Sequence, residues 1–135
     1  MVEMNIEYTG GLRAVATHGP SGTVIQTDAP TDNMGKGESF SPTDLCGAAL
    51  VSCILTTISI KGLKKGWELK GSTAKVQKIM SDDLPRRISQ LNVDIEIPNQ
   101  FSDEEKKQMR HIADTCPVQQ SLNPNMLMNI NLSWV

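Results

Sequence analysis

Ser41-Pro42-Thr43-Asp44-Leu45-Cys46-Gly47-Ala48-Ala49-Leu50-Val51-Ser52-Cys53 is the stretch on which the reading of this chain turns. Ser41 can cap a helix. Pro42 suits the first helical position, where its fixed φ helps and its missing N–H costs nothing. Asp44 places a negative charge against the positive end of the helix dipole. Beyond the cap, Leu45, Ala48, Ala49, Leu50, Val51, Ile54, Leu55, Ile58 and Ile60 lie on nearly every face. The pattern predicts one long helix over about 42–63, with Gly62 or Gly66 near its end and Lys61, Lys64 and Lys65 favoured by its C-terminus. A helix that is apolar all round belongs at the centre of a fold.

Upstream, Asn5 to Tyr8, Leu12 to Thr17 and Thr23 to Thr27 read as short strands. Gly10-Gly11 and Gly19-Pro20-Ser21-Gly22 punctuate them, which predicts an antiparallel meander. A polar loop then runs from Asp28 to Phe40. Its Gly35-Lys36-Gly37 lacks the ending of a phosphate-binding loop. Downstream, Trp67 to Met80 and Arg86 to Ile97 alternate as strands around an Asp82-Asp83-Leu84-Pro85 turn. Ser102-Asp103-Glu104-Glu105 opens a helix to about Thr115 with a capping-box pattern. Pro117 marks a break or the first turn of a short helix over Val118 to Leu122, and Met126 to Val135 alternates as a last strand. Strands grouped with helices, without strict alternation, give an α+β class in a single domain over residues 1–135 and disfavour a Rossmann sheet.

Composition bounds the function. The 135 residues carry 13 Lys+Arg against 15 Asp+Glu, a formal net charge of −2. That balance suggests neither a nucleic-acid partner nor a polybasic membrane anchor. Two Trp, one Tyr and two Phe leave an aliphatic, Met-rich core and no platform for stacking bases. The apolar run from Gly47 to Ile60 is interrupted by Ser52, Thr56, Thr57 and Ser59. It is expected to fall short of the roughly 18–20 apolar residues of a membrane span. The first residues show no secretory signal, and three cysteines are an odd number for a disulfide scaffold, so a reducing cytoplasm is expected.

Few residues can carry chemistry. Cys53 falls mid-helix, and Cys116 begins the Cys116-Pro117-Val118 break. Two thiols brought together could do redox chemistry; separately they would be small buried hydrophobes. Cys46 lies two turns before Cys53, about 10 Å away along an intact helix, beyond the roughly 7 Å reach of a disulfide. It reads as a core residue. No Cys-x-x-Cys or His-x-x-x-His pair exists, so His18 reads as a turn residue, His111 as a solvated helix residue, and no metal is expected. No Gly-x-Ser-x-Gly elbow supports a hydrolase. Asp82-Asp83 and Asp103-Glu104-Glu105 are explained by a turn and a helix start.

The Ser41–Cys53 stretch resembles the central-helix motif of the OsmC/Ohr family. Cys116-Pro117-Val118 with Leu122 is similar to that family's second cysteine motif, Asp83-Leu84-Pro85-Arg86-Arg87-Ile88 to its Pro-Arg segment, and Gly35 to Ser41 to its Gly-rich lead into the helix. The element order matches along nearly the whole chain. The resemblance implies antiparallel sheets around a long buried central helix in an intertwined homodimer, with active sites at the subunit interface. It also implies a thiol-dependent hydroperoxide reductase without cofactor or metal. Cys53 would be the peroxidatic thiol and Cys116 the resolving one. Organic hydroperoxide or hydrogen peroxide would be the substrate, and a dithiol, a protein-bound lipoyl group among the options, the reductant. The alternative in the same fold is a non-catalytic site for a small hydrophobic ligand.

The organic-hydroperoxide branch of that family places a Glu just after the motif proline and an Arg in the early strand–turn region. Here Thr43 follows Pro42, Asp44 comes one position later, and the early turn carries no Arg. A buried thiol without a cation has a raised pKa. Either Arg13, Arg86 or Arg87 supplies the charge, or the activity is weak.

Overall fold

The computed structural model describes residues 1–135, which cluster into two compact units, Met1–Cys46 and Gly47–Val135. The first unit is the expected meander. Strands β1 (Met4–Gly10), β2 (Arg13–His18) and β3 (Val24–Asp28) pair antiparallel in that order. Ile6 faces Ala16, which faces Ile25, and Tyr8 faces Ala14. With Met4 they make one apolar face, on which Met4, Ile6, Tyr8 and Ile25 remain exposed. The loop that follows is less irregular than its polarity suggests, because Thr31–Asn33 forms a 3-10 turn.

Helix α1 (Pro42–Gly62) begins where the cap signals place it. The Asp44 N–H donates to Ser41 Oγ at 3.1 Å, and the Ser41 N–H donates to an Asp44 carboxylate oxygen at 2.9 Å. This reciprocal box satisfies two donors that a helix start would otherwise leave open. A 3-10 turn, Leu63–Lys65, extends the helix. Burial within one chain is one-sided. Gly47, Leu50, Val51, Ile54, Ile58 and Gly62 are buried, while Ala48, Ala49, Ser52, Thr56 and Ile60 are not. The all-round apolar pattern therefore exceeds what a single chain covers.

Pro42–Lys65 spans 24 residues, and 18 consecutive residues within it reach a mean hydropathy of 1.7, long and apolar enough by length and composition to cross a membrane, contrary to the expectation from the interrupted run. Polar side chains are tolerated inside it where their hydroxyls bond within the helix. Thr56, for example, donates to the carbonyls of Ser52 and Cys53. Leu50, Ile54 and Ile58, each 0% exposed, seat the helix in the protein's own core.

In the second unit, β4 (Thr73–Met80), β5 (Ile88–Ile97) and β6 (Leu127–Trp134) form a sheet in that order. Leu91, Val93, Ile95 and Ile97 of β5 turn inward, and Asp94 and Glu96 turn out. A Cβ on Gly47 would sit 3.2 Å from Val76 Cγ1 and 3.6 Å from Leu91 Cδ2, so the absence of a side chain there lets α1 lie close on this sheet. Strand β4 starts six residues later than its alternation predicts. Trp67 and Leu69 are buried, but Gly71 at φ +92° turns the chain between them and the strand.

The sequence reading expects antiparallel pairing throughout. The β4–β5 pair obeys, but β5 and β6 are parallel. Between them run α2 (Asp103–Ala113) and α3 (Pro117–Ser121), and a helical crossover brings the chain back to the same end of the sheet. Outward Asn129 and Asn131 of β6 donate to Asn92 and Asp94 of β5 at 2.9 and 3.3 Å, matching the parallel register.

Helix α2 opens with the capping box expected of Ser102 and Glu105. The Glu105 carboxylate accepts from the Ser102 N–H at 2.8 Å and from Trp67 Nε1 at 3.0 Å. These bonds, the Ser102 N–H first, hold the Glu105 carboxyl below the usual range.

Candidate active site

Cys53 lies in the middle of α1, half-buried, one residue before Ile54 of the buried stripe. Cys116 is 0% exposed and sits between α2 and α3. Pro117 occupies the first helical position of α3, so Cys116 becomes its N-cap, and the Gln119 N–H donates to Cys116 Sγ at 3.4 Å. Sulfur here takes the place of the usual capping oxygen. The two thiols are neighbours, each shifting the acidity of the other, and are not covalently joined. The fold thus closes the long sequence gap between them.

Their acidities are driven apart. Burial acts to raise Cys53, but the Val118 N–H, the Thr57 hydroxyl and the Cys116 thiol outweigh it, and Cys53 lies below the ordinary cysteine value. Thr57 Oγ1 is 3.7 Å from Cys53 Sγ. For Cys116, burial leads and the neighbouring Cys53 adds to it, so this thiol lies above the ordinary value despite the Gln119 N–H. A thiolate is the nucleophile and a thiol is not, so of the two sulfurs Cys53 ionises the more readily.

Arg13 donates from Nε to Asp28 at 2.6 Å and also pairs with Glu38. Asp28 is 1% exposed and accepts the Glu38 N–H at 2.9 Å as well. Its carboxyl is lowered first by the Arg13 hydrogen bond. Arg13 is therefore a partner of buried Asp28 in the first unit. Thr43 bonds Ser41 at 3.1 Å, and Asp44 completes the α1 cap. Arg87 pairs with Asp83 at 3.0 Å, and Arg86 is exposed beside it. Cys46 stands two turns up α1 from Cys53. His18 Nδ1 bonds Ser21 Oγ at 2.6 Å in its turn, and His111 is exposed on α2.

Sequence reasoning missed Thr57 and the Val118 N–H. The first had a signal, since a residue four after Cys53 lies over it on the same helical face. The second had one too, because Pro at a first helical position aims the N–H groups behind it toward the cap.

Comparison with known proteins agrees with this architecture. The family model described as OsmC-like protein matches residues 35–131. A search of curated proteins finds no match. Among solved structures, a candidate osmotic stress induced and detoxification response protein from Psychrobacter arcticus is 41% identical. It superposes with a TM-score of 0.92 over 98% of this chain and 96% of that one. An OsmC like protein from Mycoplasma pneumoniae gives a TM-score of 0.81 at 18% identity, covering 100% and 97%. The organic hydroperoxide resistance protein OhrB of Bacillus subtilis gives 0.67 at 14%, covering 98% of each chain. The two lower identities speak to the fold alone. The match over most of the chain, joined to the 41% identical structure, makes this chain a member of the OsmC-like protein family.

Proposed function

We propose that the protein is a thiol-dependent peroxidase that reduces organic hydroperoxides, and hydrogen peroxide as a smaller substrate. The observation that carries this reading is a pair of neighbouring thiols whose acidities are displaced in opposite directions. The Cys53 thiolate attacks one oxygen of the peroxide and breaks the O–O bond. The alkoxide leaves and takes a proton as alcohol, and Cys53 becomes a sulfenic acid. Cys116 then attacks the Cys53 sulfur. Its S–H proton leaves with the hydroxide as water, and a Cys53–Cys116 disulfide remains. A dithiol, such as a protein-bound lipoyl group, reduces that bond and is itself oxidised to a disulfide. Such reductants match a cytoplasmic protein. The hydroperoxide resistance described for a structural neighbour is consistent with this chemistry.

The family resemblance supports a homodimer. The exposed face of Met4, Ile6, Tyr8 and Ile25, and the uncovered side of α1, are apolar surfaces that a second copy would cover. Light scattering of the intact protein should read about twice the chain mass; a stable 14.8 kDa species would dismiss the dimer.

The test of the mechanism is a mass spectrum taken after one equivalent of organic hydroperoxide. The wild type should lose two hydrogens, mapped to linked peptides holding Cys53 and Cys116. Cys116→Ser should instead gain one oxygen at Cys53 and be captured by a sulfenic-acid reagent. A wild type that gains only oxygen, or loses hydrogens through Cys46, would overturn the pairing. Retention of a small apolar ligand with no peroxide turnover would favour a binding protein.

A further inference from the structure

Two threonines sit side by side on α1, and their hydroxyls do different things. Thr56 Oγ1 donates to the Ser52 carbonyl at 2.9 Å and to the Cys53 carbonyl at 3.2 Å. That is the ordinary back-bonding of a hydroxyl inside a helix. Thr57 Oγ1 lies 3.7 Å from Cys53 Sγ. The spacing explains the contact. A helical side chain leans over the turn before its own, so residue 57 covers residue 53.

We propose that Thr57 is a positioning residue for Cys53, its hydroxyl donating to the sulfur and holding it in the ionised form. The inference rests on the peroxidase reading and names the groups that activate its nucleophile. With a neutral thiol, either atom of the pair can donate. Once the thiol ionises, only the hydroxyl has a proton to give, so the contact favours the thiolate. Cys116 is the titratable group facing Cys53, and burial keeps it protonated, so it too can only donate. The Val118 N–H completes the set. All three stabilisers are neutral, whereas Arg13 and Arg87 have carboxylate partners. Neutral donors in a half-buried site can replace a cation because each is stronger when water is scarce.

The experiment measures alkylation of Cys53 by iodoacetamide against pH, with the modified peptide read by mass spectrometry so that Cys46 and Cys116 do not contribute. It compares wild type, Thr57→Val and Thr57→Ser. Valine keeps the shape and removes the hydroxyl. It should move the midpoint to higher pH and slow alkylation near neutrality by about three- to tenfold, with the limiting rate at high pH unchanged. Serine, which keeps the donor, should follow the wild type. The proposal is overturned if the valine profile superimposes on the wild type, or if serine moves as far as valine. Peroxide consumption by wild type is measured separately. If it is absent while the alkylation profiles shift as expected, the peroxidase reading falls and the role of Thr57 stands. If it is present while the profiles do not move, only the role of Thr57 falls.

Discussion

Cys53→Ser should end hydroperoxide consumption in the presence of excess dithiol, a loss of more than about a thousandfold, the scale seen when a nucleophile is removed. Serine preserves the size and helix position of Cys53, so the loss would be chemical. Its hydroxyl stays protonated at any pH the fold tolerates, and the Val118 N–H, Thr57 and Cys116 then have no anion to stabilise. The pH dependence has a definite sign. Because the Cys53 thiol lies below the ordinary value, the thiolate form persists to lower pH. Activity should be full above the lowered pKa and fall away as pH drops through it, with the midpoint displaced downward from that of an ordinary cysteine. Consumption of cumene hydroperoxide measured across pH provides the check. A serine variant retaining a tenth of the rate, or a wild type inert to both cumene hydroperoxide and hydrogen peroxide, would sink the reading.

Ile54→Ala should have the largest effect on stability. Ile54 is 0% exposed, in the buried stripe with Leu50 and Ile58. Alanine removes three carbon atoms that the surroundings refill only incompletely, at a cost of about 2–5 kcal/mol in transfer and cavity energy. Thermal or urea unfolding should show it as a melting temperature lower by about 10 °C or as a reduced midpoint denaturant concentration. A change below about 1 kcal/mol would mean that this face of α1 is not a close-packed core, against its burial. The substitution is also a useful companion to Cys53→Ser. The two residues are adjacent in sequence but turned about 100° apart on the helix. One should weaken the fold and the other the chemistry.

Much of the architecture is legible in the residues alone. Ser41, Pro42 and Asp44 announce α1 because a helix start has open donors that only certain side chains can meet. Ser102 with Glu105 announces α2 for the same reason. The alternation of β5 declares its inward face. Strand direction is not legible, since alternation has the same period in parallel and antiparallel pairs, and so the β5–β6 pairing departs from expectation. Nor is the late start of β4, because Trp67 and Leu69 alternate like strand residues while a glycine turn separates them from the strand.

The site is half legible. The resemblance draws attention to Cys53 and Cys116, but nothing in their spacing says that the fold makes them neighbours. Arg13 looks available as a thiol partner because a lone early arginine stands out in the sequence. Its tie to buried Asp28 depends on the register of β2 against β3, which pairs Arg13 with Asp28 directly. Thr57 is easily passed over because a threonine inside a helix usually serves the helix, as Thr56 does.

The bond between Glu105 and Trp67 acts on leverage. Trp67 follows the end of α1, Glu105 lies in the first turn of α2, and Cys116 comes just past the far end of α2. Eleven residues of helix make an arm about 16 Å long. A swing of roughly 10° about an unpinned start would carry its tip ~3 Å, about the length of a hydrogen bond, and would shift Cys116 relative to Cys53. The clasp at the base of that arm therefore bears on where Cys116 comes to rest at its other end.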